Sequence, residues 1–193
     1  MNYKPLTGIL AASLLSLSSL NVQAEDYVID TKGAHAIIQF KISHLGYSWL
    51  LGRFNKFSGE FSYDEKHPET AKVKVDIDVA SIDSNHAERD KHLRGEHFLD
   101  VEKFPNAQFV SNGYKELGNG KAELSGNLTL HGVTKPITID VTQIGHGKDP
   151  WGGYRRGFQG ETRLALADYG IDYNLGPASK EVELYLSVEG VRK

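Results

Sequence analysis

Apolar and polar residues alternate with period two along most of this chain, the spacing that turns one face of a β-strand to a core and the other to water. After a lead-in at Tyr27 to Ile29, the first full run places Ala36, Ile38, Phe40 and Ile42 on one side and His35, Gln39 and Lys41 on the other; Ile37 blurs the pattern. Phe57, Gly59, Phe61 and Tyr63 keep phase in a second run, and Val73, Val75, Ile77 and Val79 in a third. A short fourth run spans Ala107 to Tyr114, and Ala122, Leu124, Gly126, Leu128 and Leu130 make the fifth. Ile137, Ile139 and Val141 mark the sixth, Phe158, Gly160, Thr162, Leu164 and Leu166 the seventh, and Val182, Leu184, Leu186 and Val188 the eighth. Gly118-Asn119-Gly120 supplies the positive-φ positions of a tight hairpin, His131 to Thr134 reads as a turn, and Gly145 to Gly153 as a glycine-rich loop carrying Trp151.

Ser81 to Pro105 (SIDSNHAERDKHLRGEHFLDVEKFP) breaks this alternation. Glu88, Lys91 and Arg94 are spaced to share one helix surface, and His86 and Asp90 stand four apart. The stretch predicts a short polar helix with Ser84 or Asn85 as N-cap, Gly95 as its stop and Pro105 barring continuation.

Eight alternating strands joined by short turns predict an all-β fold, an eight-stranded antiparallel barrel whose closure leaves no exposed edge, with one short helical insertion. No linker or composition shift divides residues 25–193, which read as a single domain. Ahead of them, Lys4, the apolar and serine-rich run Leu6 to Leu20 and the small-residue site Val22-Gln23-Ala24 form a secretory signal, residues 1–24, cleaved after Ala24. Periplasmic location is the expectation. The chain has no Cys, so neither disulfides nor thiolate chemistry is available in that compartment.

Charge decides which face of the barrel is inside. If the apolar face met lipid, Lys72, Lys74, Asp76, Asp78, Glu123, Glu161, Arg163, Glu181, Glu183 and Glu189 would crowd a lumen barely wide enough for side chains. The apolar face therefore points inward, and no stable membrane insertion is expected. The chain carries 22 Lys and Arg against 25 Asp and Glu, a net charge of -3, with both signs interspersed. That balance, with no basic stripe, excludes a nucleic-acid partner.

The inward set is Ile38, Phe40, Ile42, Phe61, Val75, Ile77, Leu128, Leu130, Ile137, Ile139, Leu164, Leu184 and Leu186. It describes either a self-filled barrel or a tunnel for a long apolar ligand. Gly59, Gly126 and Gly160 on the same face leave volume and favour the tunnel. His44, Trp49, Arg53, His92, Arg94 and His131, at strand ends and in the insertion, are the candidates to receive a polar head at a barrel mouth. His86, His92 and His97 are spaced six and five apart and fall on different sides of a helix; with no HExxH pattern, no metal site is assigned. Ser48 with His44, or Ser81 and Ser84 with His86 and Asp90, offer hydrolase residue types without a G-x-S-x-G elbow, so no catalytic residue is assigned. A hydrolase-like enzyme using a strand-end His stays open as an alternative, as does a filled-barrel stress or interaction protein.

Several separated motifs resemble one family. They are His44-Leu45-Gly46-Tyr47-Ser48-Trp49, Asn85 to Arg94 (NHAERDKHLR), Gly126 to Pro136 (GNLTLHGVTKP), Asp149-Pro150-Trp151-Gly152-Gly153 and Leu175-Gly176-Pro177-Ala178-Ser179. In this order, behind a signal peptide, they resemble the YceI family of bacterial periplasmic proteins over essentially the whole mature chain. The resemblance implies a lipocalin-like barrel with a helical excursion and a lumen that holds a polyisoprenoid or quinone-like lipid. It implies no required cofactor and no established catalytic residues, and includes stress response among the proposed roles. The expected partner is an isoprenoid lipid; a homodimer is compatible with a pattern that singles out no interface.

Overall fold

The structure, a computed structural model, describes residues 24–193; the proposed signal segment lies, except for Ala24, outside the described residues. Strands β1 (Glu25–Ile29), β2 (Ile37–His44), β3 (Ser48–Phe54), β4 (Phe57–Tyr63), β5 (Lys72–Asp78) and β6 (Ile82–Asp83) precede α1 (Ala87–Arg94), the one α-helix among the described residues. Strands β7 (Asn106–Gly118), β8 (Lys121–Leu130), β9 (Val133–Lys148), β10 (Tyr154–Ala165) and β11 (Glu181–Arg192) follow it.

Three of the barrel's strands are interrupted. β11 pairs with β2 along Val182 to Ser187 and with β1 at Gly190 to Arg192, so β1 and β2 are two parts of one barrel strand. β4 pairs with β1 and β3 with β2, so β3 and β4 form its neighbour, bent at Asn55-Lys56. β5 pairs with β4 and β6 with β3, across a 3-10 turn at Val79–Ser81. With β7 to β11 these make a closed eight-stranded antiparallel meander, sealed by the β1–β11 pairing. Closure removes the free edges that would otherwise template aggregation.

Two strands outrun their apolar pattern. β7 continues to Gly118, and β9 stays paired with β10 through Gly145, His146, Gly147 and Lys148, the stretch expected to be a loop. Ladder hydrogen bonds come from the backbone, so pairing persists where side chains no longer alternate. Only Asp149 to Gly153 turns the chain, held by the Asp149 carboxylate, which accepts the N–H groups of Trp151 (3.0 Å) and Gly153 (2.7 Å). The β8–β9 turn is likewise tighter than expected: His131 (φ 50°) and Gly132 (φ 74°) make it alone, and Val133 already pairs with Leu130.

The wall is incomplete at one place. The β9–β10 ladder ends at Asp140 opposite Glu161, although β9 begins at Val133 and β10 runs on to Ala165. Pro136 lies in the unpaired stretch of β9, where its missing N–H costs no ladder bond on that side. Thr162 Oγ1 bridges the split, donating to the Thr138 carbonyl at 2.7 Å.

The two ends of the barrel differ. At the helix end the 79–106 excursion and residues 166–180 fold over the opening, and Phe40, Ile82, Leu164, Tyr169, Ile171 and Val182 pack with Leu93 and Leu99 into a plug. Helix α1 starts at neither expected N-cap. His86 is the cap, its Nδ1 accepting the Arg89 N–H at 3.2 Å. Ser84 is engaged elsewhere, because its N–H and hydroxyl both donate to buried Asp90 (2.8 and 2.5 Å), and Asn85 takes a left-handed turn at φ 62°. Arg94 ties the helix down by donating to the carbonyls of Ala80 and Ile82, both at 2.8 Å. Gly95 ends the helix as expected. At the opposite, terminal end, where the chain enters on β1 and leaves on β11, the core is aromatic: Tyr27, Phe61 and Tyr63 with Tyr114, Tyr154 and Phe158.

Candidate functional site

Inside the barrel, between the plug and the aromatic end, lies a cavity walled almost entirely by carbon. As traced by the centre of a water-sized sphere it measures about 140 Å³; the empty space from wall to wall, its open approach included, is about 1060 Å³. The first figure is close to that of dry cavities that take a benzene ring, about 150 Å³.

Of the positions predicted to face the lumen, Ile38, Phe61, Val75, Ile77, Leu128, Ile137, Ile139, Leu184 and Leu186 line this cavity. Phe40, Ile42, Leu130 and Leu164 do not; they pack into the plug. Period-two alternation specifies a face but not a height along the barrel axis. Sequence reasoning left out Phe109, Phe158 and Val188 as lining residues, although their phase was visible, and Tyr114, which is out of phase with Phe109 and turns inward only past the register shift between Ser111 and Gly113.

The glycines do not leave open volume. A Cβ on Gly126 would stand 2.5 Å from the Phe109 ring and 2.6 Å from the Val110 carbonyl, and one on Gly59 would meet Ile29 Cδ1 and the Lys74 carbonyl, both at 2.7 Å. At Gly160 it would meet Ile139 Cγ2 at 2.9 Å. The missing side chains are already replaced by neighbours, and the cavity arises from the barrel's girth.

At the terminal end, outside the lining of the cavity, one charged residue is buried. Arg156 shares the inward face of β10 with Phe158, Gly160 and Thr162, and only 2% of it is exposed. Its guanidinium lies over the Tyr63 ring (4.5 Å) and beside the Tyr27 ring (6.0 Å). Nη2 pairs with Glu65, and Nε reaches the Tyr27 hydroxyl at 3.5 Å. Tyr27 in turn donates to Glu25 (2.6 Å), which Arg192 holds from outside (2.5 Å). Burial opposes the charge on Arg156, but the contacts with Tyr27 and Glu65 outweigh it and raise the pKa. Nη1 is buried without a hydrogen-bond partner. An unsatisfied buried donor costs about 1–3 kcal/mol, and the Tyr63 face offsets part of that. Burial lifts the Tyr63 and Tyr114 hydroxyls above the ordinary phenol range, so both stay protonated at neutral pH.

The candidates for a polar mouth all fall at the helix end and are occupied or outside. Trp49 is 60% exposed beneath Lys41 Nζ (4.3 Å), Arg53 faces Asp83 at 3.7 Å, and His44 and His92 are exposed. Arg94 is committed to the backbone of the excursion. His131 touches the Tyr169 carbonyl through Nδ1 (2.9 Å) and packs edge-on against Phe104. The barrel does not gather these six into one site.

Two other groupings carry no chemistry of their own. Asp30, His35 and Glu189 bring ligand atoms within 4.8 Å of one another, but Arg155 Nη1 already sits among them, 2.8 Å from Asp30 and 2.5 Å from Glu189. The guanidinium supplies the positive charge. The Ser84 hydroxyl donates to Asp90, while His86 is used as the helix cap and Arg89 Nε donates to Ser84 Oγ at 2.7 Å, so the histidine of this set is engaged away from the hydroxyl.

A closed eight-stranded antiparallel barrel with an apolar lumen, one plugged end and a helical excursion defines a lipocalin-like barrel. More narrowly, residues 27–190 match the model of the YceI-like domain, and the chain belongs to that family. A UPF0312 protein of Shewanella sp. (strain ANA-3) is 55% identical over 193 residues, covering 100% of both chains. BcnA of Burkholderia cenocepacia superposes with a TM-score of 0.74 at 22% identity, over 83% of this chain and 98% of that one. A polyisoprenoid binding domain from Saccharophagus degradans, implicated in plant cell wall breakdown, superposes with a TM-score of 0.62 at 17% identity, over 86% and 98% of the two chains. At those identities the two structures speak for the fold.

Proposed function

We propose that the protein binds an amphipathic polyisoprenoid lipid, its prenyl chain in the barrel cavity, and carries it through the periplasm after removal of the signal segment. The apolar cavity carries this reading: its wall from Ile29 and Val73 to Leu184 and Val188 offers a prenyl chain apolar contact and no charge. Burying such a chain releases about 25 cal/mol per Å² of apolar surface, against the cost of ordering it. The polyisoprenoid binding domain with the same fold supports the choice of ligand, and the pattern of residues 1–24 supports export.

Native mass spectrometry of protein purified from periplasm without detergent tests the reading. The expected result is a mature chain starting at Glu25 with a stoichiometric adduct whose extracted mass steps by isoprene units. A blocking variant sharpens it: Val75→Phe places a ring in the cavity from a wall position and removes the adduct while the barrel stays folded. An apo mass from repeated preparations, or an adduct unaffected by Val75→Phe, overturns it.

A further inference from the structure

We infer that the unpaired seam between β9 and β10 is a lateral slot through which the lipid chain enters and leaves the cavity, with the Thr162 hydroxyl as its latch. The inference rests on the lipid-binding reading above and adds the route.

The other ways in are closed by packing or by ladders. At the helix end Phe40, Leu164, Tyr169 and Ile171 fill the bore, and a passing chain would have to displace them together. At the terminal end Tyr27, Phe61 and Tyr63 pack with Phe158, and Arg156, 2% exposed, lies over the Tyr63 ring. Each bank of the seam is zipped firmly on its other side. β9 is paired with β8 from Thr142 to Val133, and β10 with β11 from Arg155 to Ala165. Between β9 and β10 the ladder stops at Asp140 and Glu161.

What remains is a slit with two fixed ends. The Asp140–Glu161 pair bounds it toward the terminal end. Toward the helix end His131 Nδ1 reaches the Tyr169 carbonyl at 2.9 Å and ties the β8–β9 turn to the chain just past β10. The shorter bank, Thr162 to Ala165, spans about 13 Å at the rise of a strand. Ile137 and Ile139 on one bank and Thr162 on the other line the cavity, so the slit opens directly onto it. Thr162 also borders a groove on the outer wall, shared with Asp140, Glu161 and Arg163. At this point one residue parts the cavity from the outside.

Charge and hydration favour opening at the same place. Asp140 stands opposite Glu161 on β10 and opposite Glu123 on β8, and like charges directly opposite one another on a sheet repel. Beyond them the Thr162 hydroxyl crosses the gap to the Thr138 carbonyl at 2.7 Å, in an exposed position. When that bond breaks, water takes up both partners, so the net loss is small. Displacing the plug offers no such exchange, because its side chains are apolar and already packed.

The test staples the slit shut. The chain has no Cys, so Thr138→Cys with Arg163→Cys, on the outer faces of the two banks, can be bridged uniquely by a short bis-methanethiosulfonate and released by dithiothreitol. Uptake and release of retinol, a fluorescent isoprenoid, are followed by stopped flow on delipidated mature protein, and affinity by equilibrium titration. The bridge should slow uptake and release together by roughly tenfold or more, leave affinity unchanged, and be reversed by reduction. The same bridge between Lys115→Cys and Glu123→Cys, partners in the β7–β8 ladder, should slow neither. Thr162→Val, which removes the latch, should speed both by about fivefold; these rates decide alone if the cysteine pair does not fold. Exchange unchanged by the seam bridge, or slowed equally by the β7–β8 bridge, overturns the slot. A bridge that lowers affinity instead of both rates acts on the cavity and overturns it too. Failure of the unbridged protein to bind retinol overturns the lipid reading itself, a different failure from binding whose rates ignore the bridge.

Discussion

The two ends of this barrel are closed by different physics. The helix end is sealed by volume: aliphatic and aromatic side chains pack into the opening, and a short helix is pinned over them by hydrogen bonds from Arg94 and onto Asp90. The terminal end is closed by a buried cation among tyrosines, a weaker seal with one donor unpaired. A wall of carbon between a packed end and a polar end is the layout an amphipathic ligand requires. It also predicts that the halves respond differently to mutation.

The largest contrast comes from truncating one aliphatic residue in each region. Ile82→Ala, in the plug, leaves a hole that rigid neighbours cannot fill and should cost about 3–5 kcal/mol in urea unfolding. Leu186→Ala, in the wall, enlarges a space that already exists and should cost about 2 kcal/mol, the low end for such changes, while altering which chain lengths are retained. Equal costs would mean that the cavity is not distinct from the plug. Asp90→Ala comes next. It strips the acceptor from the Ser84 N–H and hydroxyl under the helix and should cost about 2–3 kcal/mol. Hydrogen exchange should speed up across residues 84–94 and leave the β10–β11 ladder protected.

At the terminal end the corresponding change is pH-dependent. Hydrogen bonds with His35, Arg155 and Gly33 hold the Asp30 carboxyl well below the usual carboxylate range. A depressed folded pKa gives stability that is present above the unfolded value, about 3.9, and is lost as pH falls through the folded one. Asp30→Asn should therefore cost about 1–2 kcal/mol at neutral pH, and the gap to wild type should close progressively below about pH 4. A gap constant down to strong acid would assign the loss to shape instead of charge.

Much of this was legible in the sequence. Alternation fixed the eight strands and their inward faces, and the broken pattern at Ser81 to Pro105 announced helix α1. What escaped is three-dimensional. The pattern sorts residues by face, so it could not tell Phe40 and Leu164 in the plug from Leu184 and Ile139 in the cavity. It read Gly126 as a gap, because contact with Phe109 depends on pairing across two strands. Arg156 escaped because it sits in Tyr154-Arg155-Arg156-Gly157, beside Arg155 of the outer ion network. One signal was available: counting back in twos from Phe158 along β10 puts an arginine on the inward face.

The smallest predicted effect decides which face of the barrel meets water. Arg163 reaches Glu183 at 2.7 Å on the outer wall, Glu183 also holds Lys41 at 2.7 Å, and Arg163 is 60% exposed. In water such a pair gains little, since solvent screens the attraction and ordering two long side chains offsets the rest. Arg163→Gln should leave the denaturation midpoint unmoved within error, in low and high salt alike. If this face lay in lipid, Glu181, which also pairs with Arg163 at 3.4 Å, would be left without a counter-charge and the same substitution would be severe, because nothing outside could solvate it. A null result thus puts charge in water and carbon in the lumen, the arrangement on which the cavity depends.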